Sequence, residues 1–142
     1  MISKSFEETI KLGEKIGKML DINSVIILNG DLASGKTTFT KGIGKGLGIK
    51  ETINSPTFTI LKIYNGRFPL YHIDAYRLED SKYDLGLDEY LDEGVMVVEW
   101  PEYYQNYLPK EYLEINFKYI DDNTREISYV AKGDKYKELI NA

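Results

Sequence analysis

The 142-residue sequence contains no cysteine. That absence excludes a disulfide scaffold, a thiolate-held zinc or iron–sulfur centre, and thiol catalysis. Histidine occurs once, at His72, so multi-histidine metal sites are excluded and a Ser-His-Asp triad would rest wholly on that residue. Arginine is confined to Arg67, Arg77 and Arg125. Acidic residues outnumber basic ones by 23 to 18, for a formal charge of −5. Tight nucleic-acid binding needs clustered Lys and Arg to neutralise phosphates, so no tight nucleic-acid contact is expected from this chain alone. No apolar run approaches the roughly 18 residues of a membrane span, and MISKSFEETI lacks the core of a signal peptide. The expectation is a soluble, cytoplasmic protein.

What is present is a globular composition, 42% hydrophobic and 29% charged, without repeats, low-complexity tracts or linkers. Residues 1–142 are therefore expected to form a single domain. Ser5 and Glu8 have capping-box spacing, and Phe6, Ile10, Gly13, Gly17 and Leu20 form one stripe of an opening helix. Ser24 to Leu28 is short, apolar and β-branched, the pattern of a strand buried on both faces of a parallel sheet. A helix is expected from Lys36 to about Leu47, with Gly42, Gly44, Gly46 and Gly48 marking close packing or an early stop.

Phe58 to Tyr64 and Phe68 to Asp74 flank Asn65-Gly66, a hairpin signal. Tyr83, Leu87, Tyr90 and Leu91 make a further helical stripe. Val95 to Val98 is a second apolar strand, ending at Glu99. Leu113 to Tyr119 and Ile127 to Ala131 alternate around Asp121-Asp122-Asn123 as a second hairpin. A short helix follows, carrying Tyr136, Leu139 and Ile140. The fold class is α/β, a three-layer P-loop arrangement whose mixed sheet has a parallel core and antiparallel hairpin additions.

Gly30-Asp31-Leu32-Ala33-Ser34-Gly35-Lys36-Thr37 fits the Walker A pattern without a gap. Its glycines let backbone N–H groups converge on phosphate oxygens, and the following helix turns its positive end toward the same anion. In such a loop the Lys36 ammonium reaches the β and γ phosphates and the Thr37 hydroxyl ligates Mg²⁺. The glycines from Gly42 to Gly48 do not spell a dinucleotide fingerprint and follow a helix instead of a strand, so they read as packing.

A P-loop also needs a carboxylate at a strand end to hold or orient Mg²⁺, and a group to place the attacking water. Asp74 and Glu99 both qualify, and the residues alone leave open which does which. Glu99 ends the more apolar strand and is expected beside the P-loop strand. Ser55-Pro56-Thr57 stands where a switch-like loop could bring a hydroxyl to the γ-phosphate. His72 lies one strand repeat before Asp74 on the same face, where a hydrogen-bonded structural role is the ordinary expectation. Trp100 suits either core packing or a cover over the pocket.

These motifs together resemble the TsaE (formerly YjeE) family, small ATPases of bacterial tRNA threonylcarbamoyladenosine synthesis. The resemblance runs through Gly30-Asp31-Leu32, Gly35-Lys36-Thr37-Thr38, Ser55-Pro56-Thr57-Phe58-Thr59, His72-Ile73-Asp74-Ala75-Tyr76-Arg77-Leu78 and Val98-Glu99-Trp100-Pro101. One departure is Ala33-Ser34, where the family usually has glycine then alanine. The resemblance implies ATP and Mg²⁺ as ligands, slow hydrolysis, and a TsaB–TsaD-type partner complex acting on adenosine 37 of tRNA. It also implies Thr37 and Glu99 as metal ligands, Asp74 as needed for hydrolysis, Thr57 on the switch-like loop, and Arg125 near the nucleotide; the catalytic candidates are Asp74, Glu99 and Lys36. A small-molecule kinase and a non-hydrolytic, ATP-dependent assembly factor are the competing readings. Three arginines are few for a kinase with two phosphoryl substrates, and no Asn-Lys-x-Asp guanine signature occurs.

Overall fold

Strand β2 (Ser24–Asn29) is buried along its first five residues, as four consecutive aliphatic side chains require. The computed structural model describes residues 1–30, 34–53, 61–74, 91–99 and 108–141. In chain order the other elements are β1 (Ile2–Ser3), α1 (Phe6–Met19), α2 (Lys36–Gly46), β3 (Leu61–Asn65), β4 (Pro69–Asp74), β5 (Val95–Glu99), β6 (Tyr112–Asp121), β7 (Thr124–Lys132) and α3 (Asp134–Ile140). The described strands form one sheet in the order β1-β7-β6-β2-β5-β4-β3. β6, β2, β5 and β4 run parallel, while β3 on β4, β7 on β6 and β1 on β7 are antiparallel. The expected mixed sheet with a parallel centre is thus observed. β1, two residues long, is an addition that no periodicity could signal.

The two faces of the sheet bury different sets of side chains. On one, Ile26, Leu28, Leu70, Val97, Leu113 and Ile115 pack with Ile16, Leu20, Phe39, Ile43 and Leu47 of the α1–α2 layer. On the other, Val25, Ile27, Ile73, Met96 and Val98 form a smaller cluster. Alternation along β4 and β5 puts His72, Asp74 and Glu99 on the first face, with α2.

α1 begins as its spacing predicts, with the Ser5 hydroxyl accepting from the Glu8 N–H at 3.1 Å and a Glu8 carboxylate oxygen accepting from the Lys4 N–H. The glycines of α1 and α2 then let the two helices meet backbone to backbone. A Cβ on Gly42 would run into the Ile10 carbonyl oxygen and Gly13, and one on Gly46 into the Glu14 carbonyl. Gly42, Gly44 and Gly46 are therefore packing positions, whereas Gly48 stands in open space with φ 79° and serves the turn after α2.

The first hairpin is antiparallel as expected, but Asn65 pairs with Pro69, which leaves Gly66-Arg67-Phe68 as its loop. The loop is pinned to the helix ends. The Arg67 N–H donates to the Leu47 carbonyl at 2.6 Å, and its guanidinium donates to Gly46, Gly17 and Leu20 carbonyls at 3.1 to 3.3 Å. A fixed positive charge there complements the negative ends of both helices. The Tyr136 hydroxyl accepts from the Val25 N–H at 2.8 Å, tying α3 to the start of β2. The expected helical stripe at Tyr83, Leu87 and Tyr90 lies outside the described residues, as does the Phe58 end of the first hairpin.

The α1–α2 contact predicts the effect of one added methyl group. Alanine gains about 1 kcal/mol over glycine in helix propensity, yet Gly42→Ala should destabilise the fold by roughly 1–3 kcal/mol, because overpacking forces two backbones apart. Urea unfolding measures this directly, with a lower midpoint expected.

Candidate functional site

The site is built where β2 ends and α2 begins. Gly35 is the N-cap of α2, with φ 106°, a left-handed conformation that a side chain would strain. As glycine it offers no capping side chain, and the first turn of α2 contains no acidic residue. α1 is the contrast, since its Ser5 cap, Glu7 and Glu8 already answer its positive end. The first N–H groups of α2, which point out of the helix, and its dipole therefore suit an external anion.

The side chains around that end point the same way. The Ser34 hydroxyl oxygen is buried and has no hydrogen-bond partner among the described residues. Lys36 is only 6% exposed, and its ammonium donates to the Gly30 carbonyl at 2.7 Å, which keeps the charge at the loop. Thr37 and Thr38 are half-buried in the first turn. A helix start without a capping or acidic side chain, a buried hydroxyl without a partner among the described residues and a held ammonium together fit a phosphate chain.

On the β5 side of β2, Glu99 stands level with Leu28 and, across to β4, level with Asp74. The expectation that Glu99 would lie beside the P-loop strand is met. Its side chain is 6% exposed, and Oε2 lies 2.6 Å from His72 Nε2, itself fully buried. A carboxylate accepts, so His72 donates this bond. Asp74 is half-buried at the same edge.

On the β6–β7 side, Arg125 is buried, with its side chain close over Gly35. Its guanidinium lies 4.7 Å from the Tyr119 ring centre and donates to the carbonyls of Asp121 and Thr124. The structure thus brings Gly30, Ser34, Gly35, Lys36, Thr37 and Thr38 together with Arg125 on one flank and Glu99 and Asp74 on the other. Asp31, Leu32, Ala33, Ser55, Pro56, Thr57 and Trp100 lie outside the described residues.

Divalent-metal chemistry fits this donor set in one particular way. The described residues contain no group of three or more His, Cys, Asp and Glu side chains able to hold a metal. Mg²⁺ commonly takes one or two protein oxygens and completes its shell with phosphate oxygens and water, and Thr37 with Glu99 can supply that pair. Sequence reasoning placed His72 and Asp74 on one face but did not see the His72–Glu99 bond. Its only signal was a histidine one strand repeat before an acid, and the partner strand cannot be read from that.

Comparison with known proteins follows the same outline. The family model described as "Threonylcarbamoyl adenosine biosynthesis protein TsaE" matches residues 3–127. The tRNA threonylcarbamoyladenosine biosynthesis protein TsaE of Bacillus subtilis is 49% identical over 135 residues, covering 94% of this chain and 85% of the relative. The protein of the same name from Treponema pallidum is 43% identical over 130 residues, covering 89% and 96%. The crystal structure of Bacillus subtilis YdiB superposes with a TM-score of 0.85 at 40% identity, covering 99% of this chain and 90% of that one. The mixed sheet described above is the fold of that protein.

Proposed function

The chain belongs to the TsaE family of threonylcarbamoyl adenosine biosynthesis proteins, and from that premise we propose that it is the ATP-binding and ATP-hydrolysing subunit of this tRNA modification. The observation that carries the reading is the start of α2, which has a glycine N-cap and no acidic residue in its first turn, beside the buried Ser34 hydroxyl and the Lys36 ammonium. The backbone from Gly30 to Thr38, Asp31, Leu32 and Ala33 included, would cradle the phosphates, with Arg125 toward the rest of the nucleotide.

In this reading Thr37 and Glu99 hold Mg²⁺. When bound, the metal neutralises charge on the β and γ phosphate oxygens. The Lys36 ammonium leaves the Gly30 carbonyl for those oxygens and stabilises charge developing there. The Asp74 carboxylate, level with Glu99, serves the hydrolytic step. Ser55, Pro56 and Thr57 act as the switch-like loop that brings a hydroxyl to the γ-phosphate. Residues 1–142 work as one domain whose partner is a TsaB–TsaD-type complex. The tRNA contacts fall to that complex, in keeping with a chain of net charge −5.

Two measurements check this. Lys36→Met, which keeps an unbranched apolar stem and removes the ammonium, should weaken ATP binding roughly 10- to 100-fold in calorimetry. Its circular dichroism spectrum should be unchanged. Phosphate release from ATP should be slow with the chain alone and should rise when TsaB and TsaD are added. Equal rates with and without them would contradict the partner-dependent mechanism. A phosphorylated small molecule appearing in place of free phosphate would favour a kinase.

A further inference from the structure

The bond between His72 and Glu99 is unusually committed for a side-chain contact. β4 and β5 are already joined by a backbone ladder from Leu70 and Val95 to Asp74 and Glu99. On top of that ladder the chain's one histidine is buried completely, with its Nε2 2.6 Å from Glu99 Oε2. The donated proton sits on Nε2, and Nδ1 is buried with no hydrogen-bond partner among the described residues. Among those residues Glu99 has no other side-chain hydrogen bond, so Oε2 is engaged and Oε1 is left. His72 has no exposed surface, so its influence on a bound nucleotide runs through Glu99.

We propose that His72 is a positioning residue: its Nε2–H locks the Glu99 carboxylate in one rotamer and keeps the second oxygen available to the divalent cation. The inference rests on the proposed function, in which Glu99 is a metal ligand. The physical reason is that an unheld glutamate has three rotatable bonds, and immobilising them at the moment of metal binding lowers affinity. A ligand carboxylate held beforehand by a neighbouring donor avoids that penalty, and loss of such a partner typically weakens metal binding about 10- to 100-fold. The competing role is purely structural, with His72 doing no more than satisfying a buried carboxylate.

The test uses the full chain with ADP present and Mn²⁺ as the probe, followed by electron paramagnetic resonance. A fluorescent ADP analogue in EDTA reports nucleotide binding without metal. His72→Leu should weaken Mn²⁺ binding about 10- to 100-fold and leave metal-free nucleotide affinity unchanged. His72→Gln, whose amide can still donate to Glu99, should recover most of the loss. In a Glu99→Gln background, His72→Leu should weaken Mn²⁺ binding no further. Where His72→Leu does not fold, His72→Asn, too short to carry its amide to Glu99, takes its place with the same expectation. Equal Mn²⁺ affinity in the wild type and the variant, or losses that add in the double variant, would overturn the positioning role alone. A wild-type chain that binds ADP but no Mn²⁺ would overturn the metal-ligand reading of Glu99 with it.

Discussion

The seating of α2 on α1 is the contact from which the rest of the geometry follows. Gly42 and Gly46 lie against Gly13 and Gly17 with no side chain between them. Both helices can then cover one sheet face, with Phe39, Ile43, Ile16 and Leu20 filling the space above Ile26, Leu28 and Val97. That fixes where α2 begins, which is immediately beyond the end of β2. Arg67 holds the opposite end by binding the last carbonyls of α1 and α2 together. A helix held at both ends keeps its N-terminus in one place, as a preformed site needs.

Parallel pairing supplies the second half of the site. Because β2, β5 and β4 run in the same direction, their carboxyl ends come to a common edge. Ligands of open α/β sheets bind outside that edge. Glu99 and Asp74 reach it side by side, and Arg125 arrives from the other flank on an antiparallel hairpin. The site thus has an acidic flank and a basic flank, with the helix start between them. A modest net charge of −5 conceals this local separation.

Much of this was legible in the sequence, for identifiable reasons. β2 and β5 announce themselves as unbroken aliphatic runs because both of their faces are buried, and β6 with β7 because only one face of each is. The Walker A spacing named the loop and its helix. β1 was not legible, since two residues carry no period. Nor was the hairpin loop at Gly66-Arg67-Phe68, because the partner that sets it is the Leu47 carbonyl, distant in sequence. The His72–Glu99 bond depends on which strand lies beside which. That order follows from the packing of the whole sheet, and no local pattern encodes it.

The central claim is that the start of α2, Glu99 and Arg125 form one site for a magnesium nucleotide. A crystal structure of the chain with Mg²⁺ and a non-hydrolysable ATP analogue tests it most directly. The account predicts phosphate oxygens within hydrogen-bonding distance of the first N–H groups of α2 and the Lys36 ammonium, with Mg²⁺ bound to the Thr37 hydroxyl and the Glu99 carboxylate. Phosphates bound elsewhere on the chain, or a metal that contacts neither residue, would contradict it.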